Sequence, residues 1–161
     1  MSGPAGDQGA PAERVAVLLD YPLRLWAAQG EYFEGLLREF TLLRLADEQL
    51  GADAAPSRLL QLARDVELRF GPTLLAVNAE RKDAYDRGLD RMDVRMPLVH
   101  GVPAVLETIR VTLEQCDDFC RDRQLLSLPR PPVLLAFGTW VGDQLVGQHD
   151  GAAPTPWPGP F

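Results

Sequence analysis

The feature that most constrains this chain is a long apolar stripe in residues 22 to about 50. Large apolar side chains recur there at spacings of three, four and seven residues, as on one face of an α-helix. They are Trp26, Phe33, Leu36, Leu37, Phe40, Leu43 and Leu50. Such a helix spans roughly 40 Å at 1.5 Å per residue, so other helices must cover its apolar face. Asp20 is a candidate cap, Pro22 suits the first turn and Gly51 is a plausible end.

Four further segments have helical patterns, namely residues 56–70, 73–87, 103–123 and 132–148. Gly71-Pro72 separates the first two, because proline lacks a backbone donor and clashes with the preceding turn. The buried stripe of the first of them is Leu59, Leu62 or Ala63, Val66 and Phe70. The sequence therefore predicts an all-α fold, an antiparallel helical bundle of four main helices plus a short one.

Two segments have less decisive patterns. Residues 14–19, RVAVLL, are a short apolar run that fits either a brief strand or a segment packed on the first helix. Residues 89–99 alternate in part between apolar and charged side chains, and Pro97 prevents a helix there. An extended conformation is expected for this second segment.

Three glycines, Gly138, Gly142 and Gly147, lie inside the last predicted helix. Each is expected to cost about 1 kcal/mol of helix stability relative to alanine. Two interpretations remain open. Either the small residues let another helix approach closely, or this helix is weaker and partly frayed.

Composition divides the chain into three parts. Residues 1–13 are expected to be a disordered leader, residues 14–150 a single helical domain and residues 151–161 a Pro-rich extended tail. The leader has neither a basic start nor a hydrophobic core, unlike an export signal. No apolar run approaches the roughly 18 residues that a membrane span requires. We therefore expect a cytoplasmic protein that does not associate with a membrane.

The charge distribution argues against a nucleic-acid partner. The formal net charge is −7 at neutral pH, and Lys82 is the only lysine. The arginines are scattered along the chain, whereas binding to a phosphate backbone relies on clustered Lys and Arg. No nucleic-acid binding is expected.

No grouping of residues predicts catalysis or a bound cofactor. Cys116 and Cys120 lie one helical turn apart, but a zinc site needs about four ligands, and His100 and His149 are far away in sequence. The cysteines are expected in the core. The sequence has no nucleophile beside a base, no Glu-x-x-His pair of the di-iron type and no phosphate-binding glycine loop. We therefore expect a protein that is not an enzyme and that holds no metal or cofactor.

Three blocks of the sequence resemble a family of small uncharacterised helical proteins of actinobacteria. The blocks are YPLRLWAAQGEYFEGLLREFTLL, ETIRVTLEQCDDFCRDRQLLSL and FGTWVGDQLVGQHDGAAPTPW, and the resemblance covers about residues 15 to 157. Members are often encoded near anti-sigma-factor kinases, their STAS-domain antagonists and PP2C-type phosphatases. The resemblance implies a regulatory binding role in partner switching, and it assigns no site residues.

The first functional hypothesis is therefore a non-catalytic regulatory protein that binds a protein partner, such as an anti-sigma-factor kinase or its antagonist. Candidate contact residues are Trp26, Glu31, Glu34, Arg38 and Trp157. Trp157 has a second interpretation, since the tail that carries it fits equally well folded back to fill a gap in the bundle. Self-association into a homo-oligomer is compatible with this hypothesis.

The alternative is a small-molecule sensor that binds a ligand between the bundle helices. The aromatic residues that would line such a pocket are Trp26, Phe33, Phe40, Phe137 and Trp140. Packing in the core explains the same side chains, so their positions in the fold are needed to separate the two interpretations.

Overall fold

A computed structural model describes residues 14–46, 51–98, 100–123 and 126–160. The elements in chain order are β1 (Arg14–Pro22), α1 (Leu23–Ala46), α2 (Ala55–Asp86), β2 (Arg91–Leu98), α3 (Val102–Arg123) and α4 (Pro132–His149). Helix dominates, but β1 and β2 form a two-stranded antiparallel sheet. The fold is therefore mixed, and the all-α prediction is wrong. The expected leader, residues 1–13, lies outside the described residues.

The sheet joins the two segments whose patterns were least decisive. Arg14 lies opposite Leu98 and Leu18 lies opposite Val94. Each strand supplies the backbone hydrogen-bond partners of the other, although α1 and α2 separate them in sequence. The extended conformation expected for residues 89–99 is confirmed for Arg91–Leu98, and the strand interpretation of residues 14–19 is the correct one.

A β-bulge in β1 places a tyrosine in the core. The register shifts between Leu18 and Tyr21, and Asp20 in the bulge has a φ of 56°. Side chains of a strand alternate between its faces, so the extra residue reverses the alternation. Ala16, Leu18 and Tyr21 are consequently all buried, while Asp20 stays exposed.

The first helix begins one residue later than predicted. Pro22 is the last residue of β1, and the backbone N–H of Leu23 donates to the carbonyl of Asp90 at 2.9 Å. Asp20 is a bulge residue and not the predicted cap. The helix ends at Ala46, and residues 47–50, which include the expected stripe residue Leu50, lie outside the described residues.

The prediction that Gly71-Pro72 separates two helices is wrong. α2 runs without a break from Ala55 to Asp86 and contains Pro72. Both halves of the helix pack on the rest of the chain, through Leu59 before the proline and through Val77 and Ala84 after it. This packing offsets the loss of one helical hydrogen bond at the proline.

The two remaining helices agree with the prediction. α3 begins at Val102 and ends at Arg123, and α4 runs from Pro132 to His149. None of the described helices is both long enough and apolar enough to cross a membrane. Residues 152–158 of the tail contain neither helix nor strand, and they fold back on the sheet and α4.

The buried side chains form two clusters. The first joins the sheet, α4, the second half of α2 and Trp157. The second joins α1, the start of α2 and the second half of α3 through Leu36, Phe40, Leu59 and Cys116, among others. α1 passes through both clusters, since Leu23 and Leu25 belong to the first.

Candidate ligand-binding cleft

A cleft with a volume of about 610 Å³ lies between the four helices. The end of β1 also contributes through Tyr21, which belongs to the first cluster, while Leu59 and Leu113 in the lining belong to the second. The cleft therefore contacts both clusters, and an occupant would touch every helix of the fold.

The walls of the cleft are mainly aliphatic. They include Leu62, Ala63 and Val66 of α2, Leu106 and Ile109 of α3, and Leu135, Val141 and Val146 of α4. The α2 residues belong to the stripe that the sequence predicted to be buried, yet they are only half-buried. Their apolar faces point inward, as predicted, and they line the cleft.

Two glycines keep the α4 side of the cleft open. Gly138 and Gly142 both line it. A Cβ added at Gly142 would meet no heavy atom within 4 Å, and one added at Gly138 would meet Gln29 Nε2 at 3.5 Å. α4 remains helical through both positions. The missing side chains thus contribute directly to the volume of the cleft.

Two polar side chains of the lining have no partner among the residues that the structure describes. The Gln29 amide of α1 and the Asp143 carboxylate of α4 form no hydrogen bond or ion pair with any residue that the structure describes. Thr139 also lines the cleft, but its hydroxyl donates to the Leu135 carbonyl at 2.9 Å. Small-molecule sites combine apolar walls with a few polar groups that orient the ligand, and Gln29 and Asp143 fit that role.

The two arginines of the lining are already bound by carboxylates. Arg110 Nε lies 2.8 Å from Glu107 Oε2, and Arg110 Nη1 lies 2.6 Å from Glu114 Oε1. These three side chains are exposed on α3. Arg130 lies 2.7 Å from Asp117 Oδ2 through its Nη2 atom, and the two side chains of this pair are only 7% and 9% exposed.

The Asp117–Arg130 pair fixes the loop before α4. Arg130 Nε donates to Asp117 Oδ2 at 2.8 Å, and the Arg130 backbone N–H donates to Asp117 Oδ1 at 2.9 Å. The neighbouring Tyr32 hydroxyl donates to the Leu128 carbonyl at 3.0 Å. Burial, with a smaller contribution from Asp117, raises the pKa of Tyr32, so the phenol stays protonated and keeps donating. These contacts therefore hold the loop that carries Arg130, one of the residues of the cleft lining.

A buried arginine lies behind the Tyr21 end of the cleft. Arg81 is 6% exposed, and its Nη1 atom donates to the Tyr21 hydroxyl at 2.8 Å. Its guanidinium lies 5.3 Å from the ring centre of Tyr21 and 5.6 Å from that of Trp26. No described carboxylate forms an ion pair with it. Burial raises the pKa of Tyr21, although the Arg81 charge opposes this shift, and the aromatic faces supply part of the compensation that Arg81 needs.

The two cysteines pack in the second cluster. Cys116 and Cys120 are free and buried. Burial, the largest cause in both cases, raises the pKa of Cys116 to about 12 and that of Cys120 to about 11. Since the thiolate is the reactive form, the raised pKa values disfavour both thiols as nucleophiles near neutral pH.

The candidate contact residues fall into two groups. Glu31, Glu34 and Arg38 are exposed on α1 at helical spacing. Trp26 is half-buried and packs against Tyr85 with ring centres 6.4 Å apart. Trp157 is buried in the first cluster, so the tail is folded back. The structure does not bring Trp157 together with the three charged residues.

Of the aromatic residues considered for a ligand pocket, only Phe33 lines the cleft. Phe40, Phe137 and Trp140 are buried in the two clusters. The Trp140 Nε1 atom is buried without a hydrogen-bond partner among the described residues. The sequence analysis missed Gln29, Thr139 and Asp143. The sequence signal for this site was the pair Gly138 and Gly142, which lie one turn apart on α4. Val141, which also lines the cleft, is about one turn from Gly138 and adjacent to Gly142.

The histidines do not assemble a reactive site. His100 is exposed, and the His149 ring Nδ1 lies 3.1 Å from the Asp150 carboxylate. Within the described ranges, no three His, Cys, Asp or Glu side chains are grouped closely enough to hold a metal ion.

Comparison with known proteins leaves the cleft as the main basis for a functional interpretation. No family model matches the chain, and no curated protein or solved structure matches it.

Proposed function

We propose that the protein is a non-catalytic binding protein whose cleft receives a small apolar molecule between its helices. One observation carries this proposal, namely a cleft of about 610 Å³ whose walls are mainly aliphatic and whose charged side chains other than Asp143 are paired with one another or with Asp117. Ligand sites of proteins are typically about 300–1,000 Å³ and mostly apolar. The cleft thus has the size and the chemistry of such a site.

A ligand bound in the cleft would affect the stability of the whole fold. Because the lining comes from all four helices, a bound molecule would bridge the two core clusters and stabilise the folded state. A ligand present at 100 times its Kd adds about 2.7 kcal/mol to the free energy of unfolding. This coupling is what a small-molecule sensor requires.

The test fills the cleft at Gly142. In the Gly142→Leu variant the new side chain occupies the space that an apolar ligand would use, since its Cβ meets no heavy atom within 4 Å. Titration with N-phenylnaphthylamine, a neutral fluorescent probe, should give saturable binding to the wild type. We expect binding by the variant to be weaker by about tenfold or more, equivalent to about 1.4 kcal/mol.

The matched control is Gly30→Leu. Gly30 also lies inside a helix, is exposed and has no heavy atom within 4 Å of an added Cβ, but it does not line the cleft. This variant should bind the probe as the wild type does. Equal weakening in both variants, or no effect of Gly142→Leu, would contradict binding in the cleft.

A protein partner is the second candidate function, and the exposed face of α1 supports it. Glu31, Glu34 and Arg38 form no ion pair or hydrogen bond with the residues that the structure describes, so their charges are available to a partner. The anti-sigma-factor kinase or antagonist that the resemblance implies would engage this face. Complementary charges there would mainly raise the rate of association.

Charge reversal tests the α1 face. In the Glu31→Arg/Glu34→Arg variant, the association rate with an Arg-rich kinase or antagonist from the same host should fall by about tenfold at low salt. The measurement is surface plasmon resonance at two salt concentrations. The control reverses Asp83 and Asp86, which are exposed on α2. An unchanged rate in the α1 variant would remove this face as the contact surface.

A further inference from the structure

The charges at the cleft define which apolar molecules it accepts. Its lining contains three carboxylates, Glu107, Glu114 and Asp143, and two guanidinium groups, Arg110 and Arg130. Resting on the proposed function, we infer that the cleft selects apolar cations. The ligand class is an alkyl or aryl amine whose hydrocarbon body lies between the helices and whose ammonium group lies at Asp143.

Both guanidinium groups of the lining are already paired with carboxylates, which disfavours an anionic ligand. Arg110 is held by carboxylates on both sides, at 2.8 Å from Glu107 and 2.6 Å from Glu114. Arg130 makes two side-chain contacts with Asp117, at 2.8 and 2.7 Å. At Arg110 a bound carboxylate or phosphate would lie beside the carboxylates of Glu107 and Glu114, and this like-charge contact is unfavourable. At Arg130, displacing Asp117 would leave a buried charge uncompensated, which is strongly unfavourable.

The unpaired polar side chains of the lining instead suit a ligand that donates hydrogen bonds. The Asp143 carboxylate is exposed and has no hydrogen-bond or ion-pair partner among the described residues. Gln29 is half-buried, and its amide also lacks a partner in that part of the chain. A carboxylate only accepts hydrogen bonds, whereas an ammonium group only donates them. An ammonium therefore matches Asp143.

The preference should be moderate because Asp143 is exposed to solvent. Two unit charges about 4 Å apart in water attract enough to change an affinity by about fivefold. Salt should weaken the effect, since exposed charges are screened over about 10 Å at 0.1 M ionic strength. The hydrocarbon body would supply most of the affinity, as in the neutral probe.

The test compares three probes with ten carbon atoms each, decylammonium, decanol and decanoate, at neutral pH and below their micelle concentrations or solubility limits. Each displaces N-phenylnaphthylamine from the wild type, from Asp143→Asn and from Asp122→Asn. Asp122 is the matched control, because it is exposed and unpaired among the described residues but lies outside the cleft.

We expect decylammonium to bind the wild type about fivefold more tightly than decanol, and decanoate to bind more weakly than decanol. Asp143→Asn should bring decylammonium to the affinity of decanol, and Asp122→Asn should keep the difference. If decanol binds but decylammonium binds no more tightly, or if decanoate binds best, the proposal that the cleft selects cations is wrong. The proposal that the cleft binds an apolar molecule is then still supported. If none of the three displaces the neutral probe, both proposals are contradicted.

Discussion

Replacing Asp117 with alanine is expected to lower the free energy of unfolding by about 3–5 kcal/mol. The substitution leaves the Arg130 guanidinium buried without its counter-charge, since both side chains are less than a tenth exposed. It also removes the acceptor of the Arg130 backbone N–H. The measurement is urea-induced unfolding followed by far-ultraviolet circular dichroism.

The adjacent residue provides the matched control. Asp118 forms an ion pair with Arg121, but its side chain is 67% exposed. Asp118→Ala should therefore change stability by less than about 1 kcal/mol. Asp117→Leu combined with Arg130→Met should recover most of the loss, because no buried charge remains. Similar values for Asp117→Ala and Asp118→Ala would show that the Asp117 pair is not buried.

Replacing Trp157 with alanine is expected to cost about 3–5 kcal/mol of unfolding free energy. The indole packs edge-on against Phe137 and Trp140, with ring centres 5.8 and 5.6 Å away. Its backbone N–H donates to the Leu19 carbonyl at 3.2 Å. The tail is thus part of the first core cluster. Urea unfolding should show a lower denaturation midpoint for Trp157→Ala than for the wild type. Trp157→Phe should lose less unfolding free energy.

Leu68→Ala is the control for Trp157→Ala. Leu68 is an apolar residue of α2 that is 83% exposed. Its truncation should therefore change the free energy of unfolding by no more than about 0.5 kcal/mol. A loss below about 1 kcal/mol for Trp157→Ala would mean that the tail does not pack on the sheet and α4 in solution.

Sequence periodicity predicted the inward faces of the helices well. Cys116 and Cys120, one turn apart on α3, were expected in the core, and both are buried. The period of 3.6 residues reflects the local geometry of a helix, so it is visible without knowledge of the neighbours.

The sequence pattern did not predict the structural features that depend on contacts between distant segments. The pairing of β1 with β2 joins segments about 80 residues apart in sequence, as between Arg14 and Leu98, and neither strand has a decisive pattern of its own. Pro72 stays within α2 because tertiary packing on both sides of it exceeds the local penalty. Local preference alone indicated two helices there.

The cleft was missed for a related physical reason. An apolar stripe such as Leu62 and Val66 has the same pattern whether it meets another side chain or lines a space. The glycines of α4 were recognised as unusual, but their effect depends on which residues face them. Nothing in the sequence distinguishes the Asp143 carboxylate, and only its position in the lining does so.

Methyl-resolved NMR tests binding within the cleft most directly. Protein with labelled Leu and Val methyl groups would be titrated with decanol. Binding between the helices should shift the resonances of Leu62, Leu106 and Val141, which line the cleft, and leave those of the exposed Leu68 and Leu75 unchanged. Shifts confined to the exposed leucines, or no saturable shift at Leu62, Leu106 and Val141, would contradict a ligand site between the helices.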